Sequence, residues 1–293
     1  MSSLVSPAPE FPSTYLHLPA PQTLFRARAD RLRQLATSHP SLAGYLTLMA
    51  ELSNLQHGQV EESSLTLPPG VSARTGPLDI ADRSHGPAWR AVLRAIAGGL
   101  ARTDGPLVAI RDRLCAASDE VLEVWADRLL SADFEHLDSG LAPFVAAALQ
   151  VRWTVQAGRL DGRGIGSGEF TQLCPVCGSL PVASVLRSGG DVQEGLRYLC
   201  CGLCGTEWNR PRIQCVNCGS GKDVAYYGIE GSDEAVKAEA CAECKTYLKV
   251  MNREKQPQID PVADDLATLS LDILMAEEGY ERIGFNCFLI PDA

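Results

Sequence analysis

Apolar residues recur along this chain with two rhythms, and the change of rhythm divides it. In the first part they fall three and four apart, the spacing of one helix face. "QTLFRARADRLRQLATSH" places Leu24, Phe25, Arg28, Leu32 and Leu35 near one face, with Arg28 the sole polar member. Pro40 suits the first turn of a second helix. Its stripe is Leu42, Tyr45, Leu46, Met49 and Leu52, and His57-Gly58 marks its predicted end. A third helix is predicted near Pro87 to Leu100, with Trp89, Leu93, Ile96 and Leu100 in phase. Ser118 is placed to cap a fourth, with Asp119 and Glu120 in its first turn. Its inward side is Val121, Leu122, Trp125 and Leu129. Pro143 opens a long apolar helix towards Val155, and "SSLTLPPG" and "GPLDIADRSHGP" read as loops.

The Gly-rich "LDGRGIGSGEF" (Leu160 to Phe170) breaks this pattern. From Gln172 the runs are short and β-type: "PVASVLR", "VAYYGIE" and "TYLKV", separated by turns such as "SGGDVQEG" and "EGSDE". After Pro261 helical spacing returns, with Val262, Leu266, Leu269 and Ile273 on one face and "EEGY" closing it. The tail "CFLIPDA" is expected to pack back onto the body.

The β-type region is where the cysteines gather. Of eleven in the chain, eight form four C-x-x-C pairs: Cys174/Cys177, Cys201/Cys204, Cys215/Cys218 and Cys241/Cys244. Three pairs are followed at once by Gly, which lets the backbone turn through positive φ and aim N–H groups at sulfur. Two residues between thiolates suit two corners of a tetrahedron, and a second such knuckle supplies the other two. The pairs also repeat: Cys174 to Cys215 is 41 positions and Cys201 to Cys241 is 40. Each unit reads knuckle, strand, turn, strand, knuckle. The simplest assignment is therefore sequential, with Cys174, Cys177, Cys201 and Cys204 in one site and Cys215, Cys218, Cys241 and Cys244 in another. An interleaved arrangement stays open but breaks the unit.

Cys200 is the spare thiol beside Cys201 and faces the other side of its strand. Cys200, Cys115 and Cys287 read as small apolar residues. The five histidines, His17, His39, His57, His85 and His136, all precede the boundary, so both sites are expected to be all-cysteine. Four thiolates accept zinc or a single iron; zinc is the default for paired knuckles and rubredoxin-like iron the alternative. A structural site of this kind contributes on the order of ~10 kcal/mol to folding. The predicted class is α+β: a helical domain (1–160), a Gly-rich linker (161–171), two tandem rubredoxin-like or zinc-ribbon modules (172–212 and 213–256), and a C-terminal helix and tail (257–293).

Charge and missing motifs narrow the function. The formal charge is −10, and eight thiolates with two divalent ions would take it to about −14 by the ligand protonation rule. That sign repels phosphate backbones and anionic lipids. Trp208, Tyr226, Tyr227 and Tyr247 lack the cationic neighbours of a base-stacking platform and read as strand packing. No basic leader and no membrane-length apolar run is present; the longest near-apolar run is Gly140 to Val151, with Arg152 after it. A cytoplasmic, reducing setting is expected, where such cysteines mean metal rather than disulfides. The chain has no G-x-S-x-G, H-E-x-x-H or phosphate-loop motif. Closed four-thiolate sites leave no position for substrate, so no enzymatic activity is expected.

"CPVCGSLPVAS", "LRYLCCGLCGTEW", "KAEACAECKTYLK", "PVADDLATLSLDILMAEEGY…NCFLIP" and "LPAPQTLFRARADRLRQLATSHP" together resemble the formate dehydrogenase accessory protein family, FdhE. The resemblance covers nearly the whole chain. It implies a cytoplasmic maturation factor that binds the formate dehydrogenase catalytic subunit before export and is needed for its activity. It also implies rubredoxin-like sites on the eight paired cysteines, which favours iron over zinc. In the family pattern the place of Cys200 is often His and that of Lys245 often Gly. A rubredoxin-like electron-transfer protein is the rival reading, and a nucleic-acid-binding ribbon a weaker one.

Overall fold

A computed structural model describes residues 15–62, 65–67, 78–80, 86–101, 105–162, 165, 172–189, 192–231 and 234–289. Most of the two predicted loops, much of the Gly-rich linker, and His85 lie outside them. A two-residue strand, β1 (Leu16–His17), precedes the helices α1 (Pro21–Ser38), α2 (Ala43–Glu62), α3 (Ala88–Gly98), α4 (Pro106–Ala116), α5 (Asp119–Leu130) and α6 (Ala142–Ala157). Helix α6 is the hub: every residue of it is buried, and Pro143 sits in its first turn. An apolar run flanked by Pro and Gly has become a core helix because the other helices enclose it.

The predicted faces of α1 to α3 form the core: Phe25, Leu32, Leu46, Leu52, Trp89, Leu93 and Ile96 are all fully buried. Arg28 lies on that face as expected and is 4% exposed; Asp260 neutralises it at 3.1 Å. The Ser118 hydroxyl accepts the Val121 N–H at 3.4 Å, capping α5. Three expectations fail, and one helix was unforeseen. Pro40 lies in the turn before α2 and not in its first helical turn. Helix α2 continues past His57-Gly58 to Glu62, because Val60 finds cover in the core. Val121 is 40% exposed, since α5 turns Leu122, Ala126 and Leu129 inward instead. Helix α4 was not foreseen: it buries only Leu114, so it leaves almost no stripe in the sequence.

The second part is one sheet. Its strands are β2 (Pro181–Gly189), β3 (Val192–Cys201), β4 (Glu207–Arg210), β5 (Val224–Tyr227), β6 (Val236–Cys241), β7 (Thr246–Asn252) and β8 (Glu281–Arg282). Each sequence repeat makes an antiparallel three-stranded ribbon, β2–β3–β4 and β5–β6–β7. The ribbons fuse where β2 pairs in parallel with β7, Ser184 opposite Val250 and Leu186 opposite Asn252. The first strand of one ribbon thus meets the third strand of the next, as in units related by translation. The N-terminal β1 covers the β4 edge, while the other end of the sheet is β5.

The C-terminal helix is two helices, α7 (Ala263–Ala267) and α8 (Leu269–Glu277). Lys249, projecting from β7, takes the carbonyls of Asp265 and Thr268 at 3.0 and 3.1 Å. The Asp265 carbonyl, besides holding this ammonium, accepts the Thr268 N–H three residues on at 3.3 Å rather than one four residues on, and the helix breaks at Thr268. The break rotates the buried face to Leu271 and Met275 and leaves Ile273 55% exposed, not inward as its spacing predicts. The described start of the tail packs back: Cys287 and Phe288 are buried, and the Tyr45 hydroxyl donates to the Phe288 carbonyl; residues 290–293 lie outside the described residues.

Candidate metal centres

The four knuckles share one backbone design. The residue after each second cysteine is left-handed: Gly178, Gly205, Gly219 and Lys245 have φ of 79°, 75°, 76° and 55°. Its N–H returns to the carbonyl of the first cysteine, at 2.8 Å in the first knuckle and 2.9 Å in the fourth. The loop this closes presents both sulfurs to the same side. Lys245 holds the conformation at a side-chain cost of about 1–2 kcal/mol, partly offset by its ammonium lying 5.2 Å from the Tyr280 ring centroid.

The sulfurs group sequentially, one cluster per repeat. Cys174, Cys177, Cys201 and Cys204 converge so that all four lie within 4.8 Å of one another, and Cys215, Cys218, Cys241 and Cys244 do the same. The Cys174–Cys204 and Cys177–Cys201 separations are 3.6 and 3.5 Å. In the second cluster Cys215–Cys244 and Cys218–Cys241 are 3.6 and 3.8 Å. A metal–sulfur bond of about 2.3 Å gives a tetrahedral edge of about 3.8 Å, so both cages fit one ion. All eight thiols are free.

Protonation is uneven. Burial pushes the Cys174 and Cys204 thiols well up. Cys201 lies well below its ordinary value: burial opposes this, and hydrogen bonds from Cys174, Cys177, Cys204 and Ser179 outweigh it. Cys244 is likewise held at about 6, burial being overcome by bonds from Thr246 and Cys215. Thr206 and Thr246 stand at matching places, 3.1 Å from Cys204 and 3.0 Å from Cys244. Cys201 and Cys244 are thus the sulfurs drawn towards thiolate in their clusters, and an arriving cation favours that form.

The clusters differ in exposure. All four sulfur residues of the first are buried, whereas in the second Cys218 is exposed and Cys244 half-buried. The helical part makes the difference. Gln150 of α6 donates to the Gly202 carbonyl at 2.7 Å, and Ile80 donates its N–H to the Cys177 carbonyl at 2.9 Å. A Cβ at Gly205 would stand 2.7 Å from Leu24 of α1. Gly205→Ala combines that overlap with a left-handed backbone; it should cost about 2–3 kcal/mol, read as a lowered urea midpoint. Lys245→Gly should change the stability read from that midpoint by no more than about 1 kcal/mol, because relief of the backbone and loss of the ring contact oppose each other.

The remaining thiols stay outside both cages. Cys200 is buried on the far side of its strand, in the wall of a cavity of about 510 Å³ that Arg28, Arg187, Glu207 and Arg253 also line. Cys287 is buried and its thiol pushed up to about 12 by burial, while Cys115 is exposed rather than partly buried. Trp208 and Tyr247 pack inside the sheet, but Tyr226 is 48% exposed.

Sequence reasoning missed one group, a buried charge cluster. Lys249, fully buried, pairs with Asp265 at 2.9 Å and Asp272 at 2.6 Å. Arg282 joins both acids, and Asn286 donates to Asp265 at 2.9 Å. The signal was a lysine inside the apolar run "TYLKV" and the doubled acid in "PVADDLA".

Three family models match in tandem: FdhE, N-terminal, over residues 13–168; FdhE, central domain, over 173–212; and FdhE, C-terminal domain, over 213–289. The chain belongs to the FdhE family. It is 42% identical over 279 residues to a protein FdhE homolog of Serratia proteamaculans, covering 92% of this chain and 89% of that one. Its identity to a homolog from Cronobacter sakazakii is 40% over 284 residues, covering 94% and 91%. The crystal structure of the FdhE protein from Pseudomonas aeruginosa superposes with a TM-score of 0.82 at 35% identity, covering 95% of this chain and all of that one. FdhE likeness thus spans both cysteine clusters, the first within the central model and the second within the C-terminal one.

Proposed function

We propose that this chain is a cytoplasmic maturation factor for formate dehydrogenase. It binds the catalytic subunit before export and has no reaction of its own. The observation that carries this reading is the near full-length kinship with FdhE proteins. The eight cysteines of the two cages each serve as ligands, so that each cage holds one ion. Iron is favoured by the rubredoxin-like knuckles, with zinc the alternative. Four thiolates close each ion's coordination, which suits a structural or redox-sensing role rather than substrate activation. Among the described residues no helix is long and apolar enough to cross a membrane, in keeping with a client met on the cytoplasmic side.

The test is a pull-down with tagged protein from cells grown anaerobically with formate. The dehydrogenase catalytic subunit is the expected captive, and its absence overturns the reading. One observation favours electron transfer as a second reading: Cys218 brings a cluster sulfur to the surface. Zinc in both cages of natively isolated protein would eliminate it.

The difference in burial makes a further expectation. Incubated with a chelator, the protein should lose one equivalent of metal from the second cage at least tenfold faster than the first. Timed metal analysis with Cys218→Ser as reference checks the order.

A further inference from the structure

The sheet face opposite α8 carries a groove of about 440 Å³. Side chains alternate across a strand, and the registers place Leu186 of β2, Val250 of β7, Lys237 of β6 and Tyr226 of β5 on this one face. Helix α8 covers the other through Ala238, Ala240 and Tyr247. The groove runs across four strands. Three spacings of about 4.8 Å make about 14 Å, the length of about four extended residues.

Its rim is Ile213, in the loop that joins the ribbons. Ile213 is 65% exposed and has φ 57°, and among the described residues it is the only β-branched one with a left-handed backbone. That conformation is unfavourable for a branched side chain. The loop is held there from beneath. The buried Arg197 donates to the Gln214 carbonyl at 3.1 Å and pairs with Glu239 at 2.7 Å, and the Gln214 amide donates to the Gly219 carbonyl at 2.9 Å. The fold thus spends strain to present an apolar side chain that its own core does not use.

Charge gives the partner's character. Arg212, Lys237 and Lys255 border the groove against one acid, Glu234, which pairs with Lys255. Among the described residues no carboxylate forms an ion pair with Arg212 or Lys237. This is a cationic rim on a chain of formal charge −10. The apolar floor and small number of cations do not suit a nucleic-acid backbone, which needs a longer basic track.

We propose that this groove docks an extended segment of the client protein in which apolar residues alternate with acidic ones. The proposal rests on the reading of the chain as a maturation factor. Apolar side chains of the segment pack on Tyr226, Val250 and Ile213, and its carboxylates meet Arg212 and Lys237.

The test measures binding of the purified formate dehydrogenase catalytic subunit to the full-length, metal-loaded protein and to two variants. Ile213→Asn suits a left-handed backbone and should hold or raise the melting temperature while weakening binding about tenfold. Arg212→Glu with Lys237→Glu should weaken binding at least tenfold and reverse the sign of its salt dependence. If wild type binds and either variant keeps wild-type affinity, the groove is not the docking site and the functional reading survives. If wild type does not bind the subunit, both fall together.

Discussion

Cys177→Ser combined with Cys201→Ser is expected to lose one metal equivalent and to unfold the ribbon half of the molecule. A four-thiolate site contributes on the order of ~10 kcal/mol, against a whole-domain stability of about 5–15 kcal/mol. No other single feature of this fold approaches that size. The damage should spread into the helices, because Gln150 of α6 donates to Gly202 in the second knuckle of that cage and α1 lies against Gly205. The matching pair in the second cage, Cys218→Ser with Cys241→Ser, should lose one metal as well. It should leave the helical part folded, since that cage lies at the far ribbon. Metal analysis, circular dichroism and limited proteolysis of wild type and the two double variants separate these outcomes. A first-cage double variant that melts within a few degrees of wild type would remove the structural role assigned to the ion.

The cages were legible in the sequence because their chemistry is local. Two residues between thiols, a following Gly and a spacing repeated near forty positions specify a knuckle without reference to the rest of the chain. The faces of α1 and α3 were legible for a similar reason, as each is written in consecutive turns. What depends on meeting a distant element was not. The parallel joint of β2 with β7 has no local code, though it turns two ribbons into one sheet. Cys177 and Cys218 occupy the same place in their repeats, yet one is buried and the other exposed. The cover comes from Ile80 and the helices, which the repeat does not contain. The break at Thr268 likewise goes with the hold of Lys249, on another element, on the Asp265 carbonyl. Lys245 holds the left-handed backbone that Gly takes in the other three knuckles, so the geometry is shared where the residue is not.

Asp265→Ala should be the most damaging substitution outside the cages, costing about 3–5 kcal/mol. Asp265 is fully buried and touches Lys249, Arg282 and Asn286. Removing it leaves the fully buried Lys249 ammonium and the Arg282 guanidinium to share Asp272 alone. An uncompensated charge in that position is worse than no charge. Lys249→Met combined with Asp265→Leu should therefore recover at least half of the loss, a coupling readable from urea midpoints of the two singles and the double. The pH dependence has a definite sign. Although burial opposes it, the Lys249 and Arg282 charges hold the Asp265 carboxyl below its ordinary range. Its stabilisation is thus present above the unfolded value of about 4 and is lost as pH falls through the lower folded value. Asp264 acts in the opposite sense. Burial raises its carboxyl in spite of Arg31, so it accepts a proton more readily folded than unfolded and its penalty eases on acidification. Wild-type stability should decline below about pH 4, and Asp265→Ala should flatten that decline while lowering the plateau above it. A variant as acid-sensitive as wild type would mean that the α7 carboxylates do not clamp the C-terminal helices to β7.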